Sequence, residues 1–172
     1  NFKYQLREAI AYLETIVKEP AHIIGWSDGG IIGMMIAIER PELVKSLVLI
    51  GANFHYNGTM GDFEIGEISA EDRAEYAIYS PDPAETQDVI YQRFMKMWPS
   101  EPEIPLEDIK RIQCPVLVMA GDHDNFVSVE HAARAAKFLS KGQLSIIPDA
   151  GHGAFLEKWT VAWTAVHYFL EH

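Results

Sequence analysis

Four short apolar runs constrain this chain more than any other feature: 22–24, 46–50, 115–120 and 143–147. The first three do not alternate polar with apolar residues, and all four are read as strands buried on both faces, although 143–147 opens Gln-Leu-Ser. Glycine follows the first three (Gly25, Gly51 and Gly121), and Pro148 follows the fourth. Segments 2–18, 31–39, 129–139 and 155–170 place apolar residues at three- and four-residue spacing and predict amphipathic helices. Doubly buried strands separated by helices predict an α/β fold, a parallel sheet flanked by helices, with its working groups at the carboxyl ends of the strands. With 172 residues, 48% of them hydrophobic, the chain can build one such core.

Composition removes several classes of function. Fourteen Lys and Arg against 25 Asp and Glu leave a formal charge of −11, which argues against nucleic acid and anionic membrane as partners. No run of 18 apolar residues is present, so no membrane-spanning segment is expected. The single cysteine, Cys114, offers neither an internal disulfide nor thiolate metal ligation. No secretory leader is visible, which reads as cytoplasmic.

The strand–helix rhythm breaks over 52–112, a stretch too long for a crossover loop. Two helical patterns fall inside it, 70–79 and 84–98, with Ser69 and Asp72 as a capping box before the first. The expected division is a core of 1–51 and 113–172 with a helical lid, 52–112, inserted over the strand ends.

The first strand runs into Gly25-Trp26-Ser27-Asp28-Gly29. A G-x-S-x-G stretch alone is weak, since chance supplies it in roughly one chain in twenty of this length. Strand before and helix after make it a candidate nucleophile elbow, in which side chains two before and two after the serine would collide. A serine nucleophile needs a base and a group that orients the base. His152 follows the fourth strand and Asp124 follows the third. The chain order Ser, Asp, His is that of α/β-hydrolases. Asp122 rivals Asp124 for the acid role. Asp122, His123 and Asp124 lack the glycine and terminal glutamate of an EF-hand loop, and neither metal nor cofactor is expected. His22 reads as a core residue of the first strand, and His55, His123, His131, His167 and His172 as surface or lid residues.

Gly25-Trp26-Ser27-Asp28-Gly29-Gly30 and Gly51-Ala52-Asn53 resemble the carboxyl-terminal part of an α/β-hydrolase-fold serine hydrolase of the valacyclovir-hydrolase-like branch. The resemblance is specific at the elbow, at 115–124 and at 148–152, and loose in the lid. It implies Ser27 as nucleophile, His152 as general base and then acid, and Asp124 as the partner of the imidazole. The implied reaction is cleavage of a small ester through an acyl-enzyme. Carbon–carbon, thioester or amide hydrolysis and perhydrolysis share this machinery, and a receptor-like protein or an inactive fragment is the alternative of another class. The backbone N–H of Asp28 is the expected oxyanion donor. The Asp28 carboxylate either serves the helix N-terminus or, as the resemblance implies, attracts a cationic substrate group. Trp26, Asn53 and Phe54 are expected at the pocket wall, with His55 and Tyr56. Tyr76, Tyr79, Phe94, Met97 and Trp98 line the lid's inner face or pack it onto the core.

A second oxyanion donor normally comes from a loop before the elbow, and only one helix precedes Ser27 here. Lacking it, an enzyme gives up about 3 kcal/mol of transition-state stabilisation. The first strand should also present a bare apolar edge. The expectation is therefore a piece of a longer chain, weakly active and poorly soluble by itself, with oligomeric state and substrate identity left open.

Overall fold

The computed structural model describes residues 1–60 and 67–172. The predicted strands are β1 (Ala21–Trp26), β2 (Val44–Ile50), β3 (Val116–Gly121) and β4 (Gly142–Ile147). They form one parallel sheet in the order β1-β2-β3-β4. Each is followed by a helix or by the insertion, so all four carboxyl ends lie on one rim. The helices are α1 (Phe2–Tyr12), α2 (Asp28–Glu39), α3 (Ala70–Tyr79), α4 (Thr86–Met97), α5 (Leu106–Ile109), α6 (Val129–Phe138), α7 (Ala154–Glu157) and α8 (Trp159–Glu171).

Continuous apolar sequence marks strands buried on both faces only in the centre of the sheet. β3 is buried at every residue and β2 at all but Lys45. The outer strands, β1 and β4, are half-exposed because each has a neighbour on one side only among the described residues. Alternate side chains feed two cores. Leu47, Leu49, Val116, Val118 and Ala120 meet α1, α2 and α6. Val48, Ile50, Leu117 and Met119 meet α7 and α8. On β1, Ile24 is 46% exposed and Trp26, which packs against His152 and Phe155, is 44% exposed; among the described residues no strand pairs with the outer side of β1.

Several boundaries shift for local reasons. The first helix widens into a π turn, Leu13–Val17, and ends where Lys18 turns left-handed at φ 60°. Segment 155–170 is two helices, α7 and α8, with Lys158 at φ −127° between them. Lys158 there pairs with Asp149 at 2.6 Å, beside the loop that carries His152.

The insertion between β2 and β3 carries α3 to α5; residues 61–66 of the expected 52–112 segment lie outside the described ones. Ser69 caps α3, accepting from the Asp72 N–H at 3.0 Å, and its hydroxyl donates back to the Asp72 carboxylate at 2.7 Å. Arg73 and Asp88 tie α3 to α4 at 2.8 Å. α3 buries no residue, whereas Met95 and Met97 of α4 are buried. The start of the insertion is stitched down by the Phe54 carbonyl, which accepts from the Ile104 N–H at 2.9 Å, and by the Met60 N–H, which donates to the Phe126 carbonyl at 2.8 Å.

Two histidine expectations are corrected. His22 is exposed on the outer strand, with Nδ1 2.7 Å from the Ser46 hydroxyl. His131 is buried, stacked on Phe54 with centroids 4.0 Å apart, and its Nε2 accepts the Phe54 N–H at 3.1 Å. Helix periodicity put His131 beside Ala132 and Ala135 on the inward face, and the folded-back 52–60 segment covers it. Burial, then the positive charge of Arg134 and the neighbouring His55, lower its pKa from 6.5 to about 4. Between these values the unfolded chain binds the extra proton and the folded one does not, so stability falls as pH drops through this window and levels off below it. In His131→Gln, which keeps an acceptor for the Phe54 N–H, this part of the pH dependence should vanish. Denaturant midpoints measured between pH 7 and 4 for both proteins check this, and parallel curves would contradict it.

Candidate active site

The site grows out of the turn from β1 into α2. Ser27 stands at φ 51°, ψ −121°, outside the regions that side-chain-bearing residues prefer. Such a conformation costs on the order of 1–3 kcal/mol and persists where neighbours over-determine it. Here the Ser27 N–H donates to the Ile50 carbonyl at 2.8 Å, and its carbonyl accepts from Gly30 and Ile31 at 2.9 and 3.2 Å. The turn is possible because α2 approaches β1 without side chains. A Cβ on Gly25 would lie 2.4 Å from the Gly29 carbonyl oxygen, and one on Gly30 would lie 2.6 Å from the Ala52 Cβ. A Cβ on Gly29 would meet nothing within 4 Å. The glycine required after the serine is therefore Gly30, and the expectation placed on Gly29 is corrected. Asp28 opens α2, so its N–H belongs to the first-turn amides that have no partner within the helix.

His152 Nδ1 lies 3.0 and 3.2 Å from the two Asp124 carboxylate oxygens, one partner slightly exposed and the other fully buried. Burial alone would raise the Asp124 pKa. The contact with His152 and the N–H groups of Val127 and Phe126, at 2.9 and 2.8 Å, outweigh burial and hold it below the usual carboxylate value. Asp124 is thus kept ionised in a buried place. The rival, Asp122, is spent on the Ala150 N–H at 3.2 Å, where it helps zip the β3 and β4 loops together.

Gly51 forms the floor. At φ +56°, its absent side chain leaves room 3.0 Å from the His152 ring and 3.3 Å from Asp124 Oδ2. Ile50, the residue before it, holds the Ser27 N–H. The Ser27 main chain and the His152–Asp124 pair therefore meet neighbouring residues at the end of β2, and among the described residues no hydrogen bond joins the Ser27 hydroxyl to the imidazole.

The other expected site residues divide. Trp26 donates its indole N–H to the His152 carbonyl at 3.0 Å. Asp28 turns its carboxylate inward, where Trp98 Nε1 donates to both oxygens at 3.1 and 3.2 Å. Burial raises the Asp28 pKa, partly offset by Trp98 and by His152. Trp98 stacks on Phe94, centroids 5.4 Å apart. Asn53 is buried and donates to the His55 carbonyl at 3.0 Å, and Phe54 is buried against His131. Tyr79 is 77% exposed and, with Tyr76, lines an open cleft of about 450 Å³ along α3. Contacts among the described residues do not bring Asn53, Phe54 or Tyr79 to Ser27. Sequence reasoning missed Phe126, whose ring lies 5.0 Å from the imidazole, and Glu157, which accepts the Gly151 N–H at 2.7 Å. An aspartate two residues before Phe126 is an Asx-turn signal and could have found the first. The second depends on a six-residue reach with no local rule.

This sheet, elbow and rim define the class. The sequence matches the alpha/beta hydrolase family over residues 2–163, and the chain belongs to that family. Human Serine hydrolase BPHL is 23% identical over 170 residues, a match covering 90% of this chain and 56% of that protein. The chain thus spans about half the length of this curated relative. Among solved structures, CarC, a serine hydrolase involved in carbazole degradation, aligns with a TM-score of 0.77 at 24% identity, covering 99% of this chain and 71% of its own. The meta-cleavage product hydrolase CumD of Pseudomonas fluorescens IP01 aligns at 0.72 and 20% identity, covering 99% and 72%. Both likenesses bear on the fold. Among the described residues, no helix is long and apolar enough to cross a membrane.

Gly51→Ala tests the floor. The substitution adds left-handed strain of about 1–2 kcal/mol and pushes the imidazole off Asp124. Its Tm should fall by several degrees, and reaction of Ser27 with a fluorophosphonate should slow at least about tenfold. Wild-type labelling in the folded variant would show that the imidazole position is irrelevant.

Proposed function

We propose that the chain carries the nucleophile, base and acid of a serine hydrolase acting on a small ester. The observation that carries the reading is the buried Asp124 carboxylate 3.0 Å from His152 Nδ1, over Gly51, whose preceding residue Ile50 holds the Ser27 N–H. Asp124 accepts a hydrogen bond from Nδ1–H, which leaves Nε2 as the basic nitrogen. Ser27 Oγ attacks the ester carbonyl while its proton passes to His152 Nε2. The tetrahedral oxyanion is met by the Asp28 N–H at the positive end of α2. His152 then protonates the departing alcohol, leaving an acyl-enzyme on Ser27. Water, deprotonated by the same nitrogen, attacks the acyl carbon, and Ser27 recovers its proton as the acid leaves. Thioester and amide bonds fit the same steps. No cofactor enters the mechanism.

Segment 52–112 acts as the lid over a core of 1–51 and 113–172, and the Trp98–Asp28 contact is its anchor beside the nucleophile. A half-buried carboxylate beside the reacting serine favours a substrate with an ammonium group, such as an amino-acid ester. Its charge disappears as pH falls through the raised Asp28 pKa. The preference for an amino ester over its des-amino analogue should therefore fade at a higher pH than an ordinary aspartate would give, and it should be absent at every pH in Asp28→Asn. Equal losses on both substrates in that variant would remove the cationic reading while leaving the hydrolase intact.

Covalent labelling tests the hydrolase itself. A fluorophosphonate should label the wild-type protein, fail on Ser27→Ala, and react about 10²–10⁴ times more slowly with Asp124→Asn. Labelling that survives Ser27→Ala would overturn the proposal. Rapid multiple turnover of an ester separates an enzyme from a receptor-like protein.

A further inference from the structure

We infer that Trp26 is a positioning residue, whose indole N–H fixes the main chain of His152 relative to Ser27. The inference rests on the hydrolase reading above. It starts from a geometric problem in the sheet. Ser27 leaves β1 at one edge and His152 follows β4 at the other, with β2 and β3 between them. Three inter-strand steps of about 4.8 Å separate the two strands by about 14 Å. The loop after Ile147 must cross that span and stop at the right place.

Most of the bonds that fix this loop come from its own side. The His123 N–H donates to the Ala150 carbonyl at 2.9 Å, and Asp122 accepts the Ala150 N–H at 3.2 Å. Glu157, on the helix that follows, accepts the Gly151 N–H at 2.7 Å. These contacts set the loop as far as residue 151 and refer it to β3, β4 and α7. Asp124, which orients the imidazole, also sits on the β3 side. The bond from Trp26 Nε1 to the His152 carbonyl, 3.0 Å, instead ties the histidine to the nucleophile strand across 126 positions of sequence. The indole also lies against the imidazole and Phe155, centroids 5.6 and 5.5 Å apart, so it works as a spacer as well as a donor. Because Trp26 immediately precedes Ser27, movement of the elbow and of the histidine carbonyl is coupled through one residue. Trp26 is 44% exposed, so its packing against His152 and Phe155 is separable from its hydrogen bond only by a variant that keeps an aromatic ring.

The experiment compares wild type with Trp26→Phe, which keeps the spacer and removes the donor, and with Trp26→His, which restores a ring N–H. Two readouts are taken: fluorophosphonate inactivation resolved into reversible affinity and chemical rate, and the downfield proton signal of His152 Nδ1–H. Trp26→Phe should lower the chemical rate about tenfold with affinity unchanged, shift or broaden the His152 signal, and leave the thermal midpoint within a few degrees. Trp26→His should recover part of both. An unchanged His152 signal and chemical rate in Trp26→Phe would overturn the inference. Should Trp26→Phe not fold, Trp26→His decides alone: a His152 signal and chemical rate as far from wild type as in Trp26→Leu would overturn the inference. If the wild-type protein is not labelled at Ser27, the hydrolase reading has failed, and the His152 signal still decides whether Trp26 positions the histidine.

Discussion

The structure depends on how closely α2 turns back against β1. Gly25 and Gly30 allow backbone to meet backbone where any side chain would intrude by an ångström or more. That approach drives Ser27 to φ 51° and points the start of α2, with its unpaired amides, at the space above the serine. It also brings Gly30 onto Ala52, so the elbow is braced by the residue after Gly51. The strain at Ser27 is offset by the backbone bonds of the turn and by the packing of Ile31 and Met34 beneath it. An elbow of this kind is set by main-chain proximity and tolerates little change in the two glycines.

The parallel sheet performs the second task. Because every strand runs the same way, the loops after β1, β2, β3 and β4 gather on one rim, and residues far apart in sequence arrive within hydrogen-bonding reach. The stagger continues past the strands: Gly51 donates to Met119, and Asp122 donates to Ile147. The rim is a continuation of the ladder rather than a set of independent loops. The buried carboxylate of Asp124 is tolerable there because backbone amides and an imidazole replace the water it has lost.

Much of this was legible in the sequence. All four apolar runs read as strands of one parallel sheet, which they are, and Ser27, Asp124 and His152 each follow the end of one of them. What failed to show depended on long-range approach. Gly29 and Gly30 are indistinguishable until α2 docks on Ala52. His131 looked like a surface residue because the segment that covers it lies some 70 positions earlier, at Phe54 to Thr59. Phe54 followed a strand that ends at the rim, yet its ring went to His131 because an apolar side chain loses more by facing water than by closing the core. The half-exposure of β1 and β4 follows from their place at the two outer positions, which apolar sequence alone does not encode.

Asp28 joins these levels. One side chain follows Ser27 in the chain, accepts hydrogen bonds from Trp98 at the end of α4, and is influenced by His152. Burial has the largest influence on this carboxylate and raises its pKa, while the Trp98 indole and His152 act in the opposite direction. The contact between Asp28 and Trp98 therefore joins the insertion to the turn one residue after Ser27. An insertion that merely covered the rim would have no such link. The inserted helices and the elbow meet at this indole–carboxylate contact, so a change in the position of Trp98 changes the surroundings of the first residue of α2.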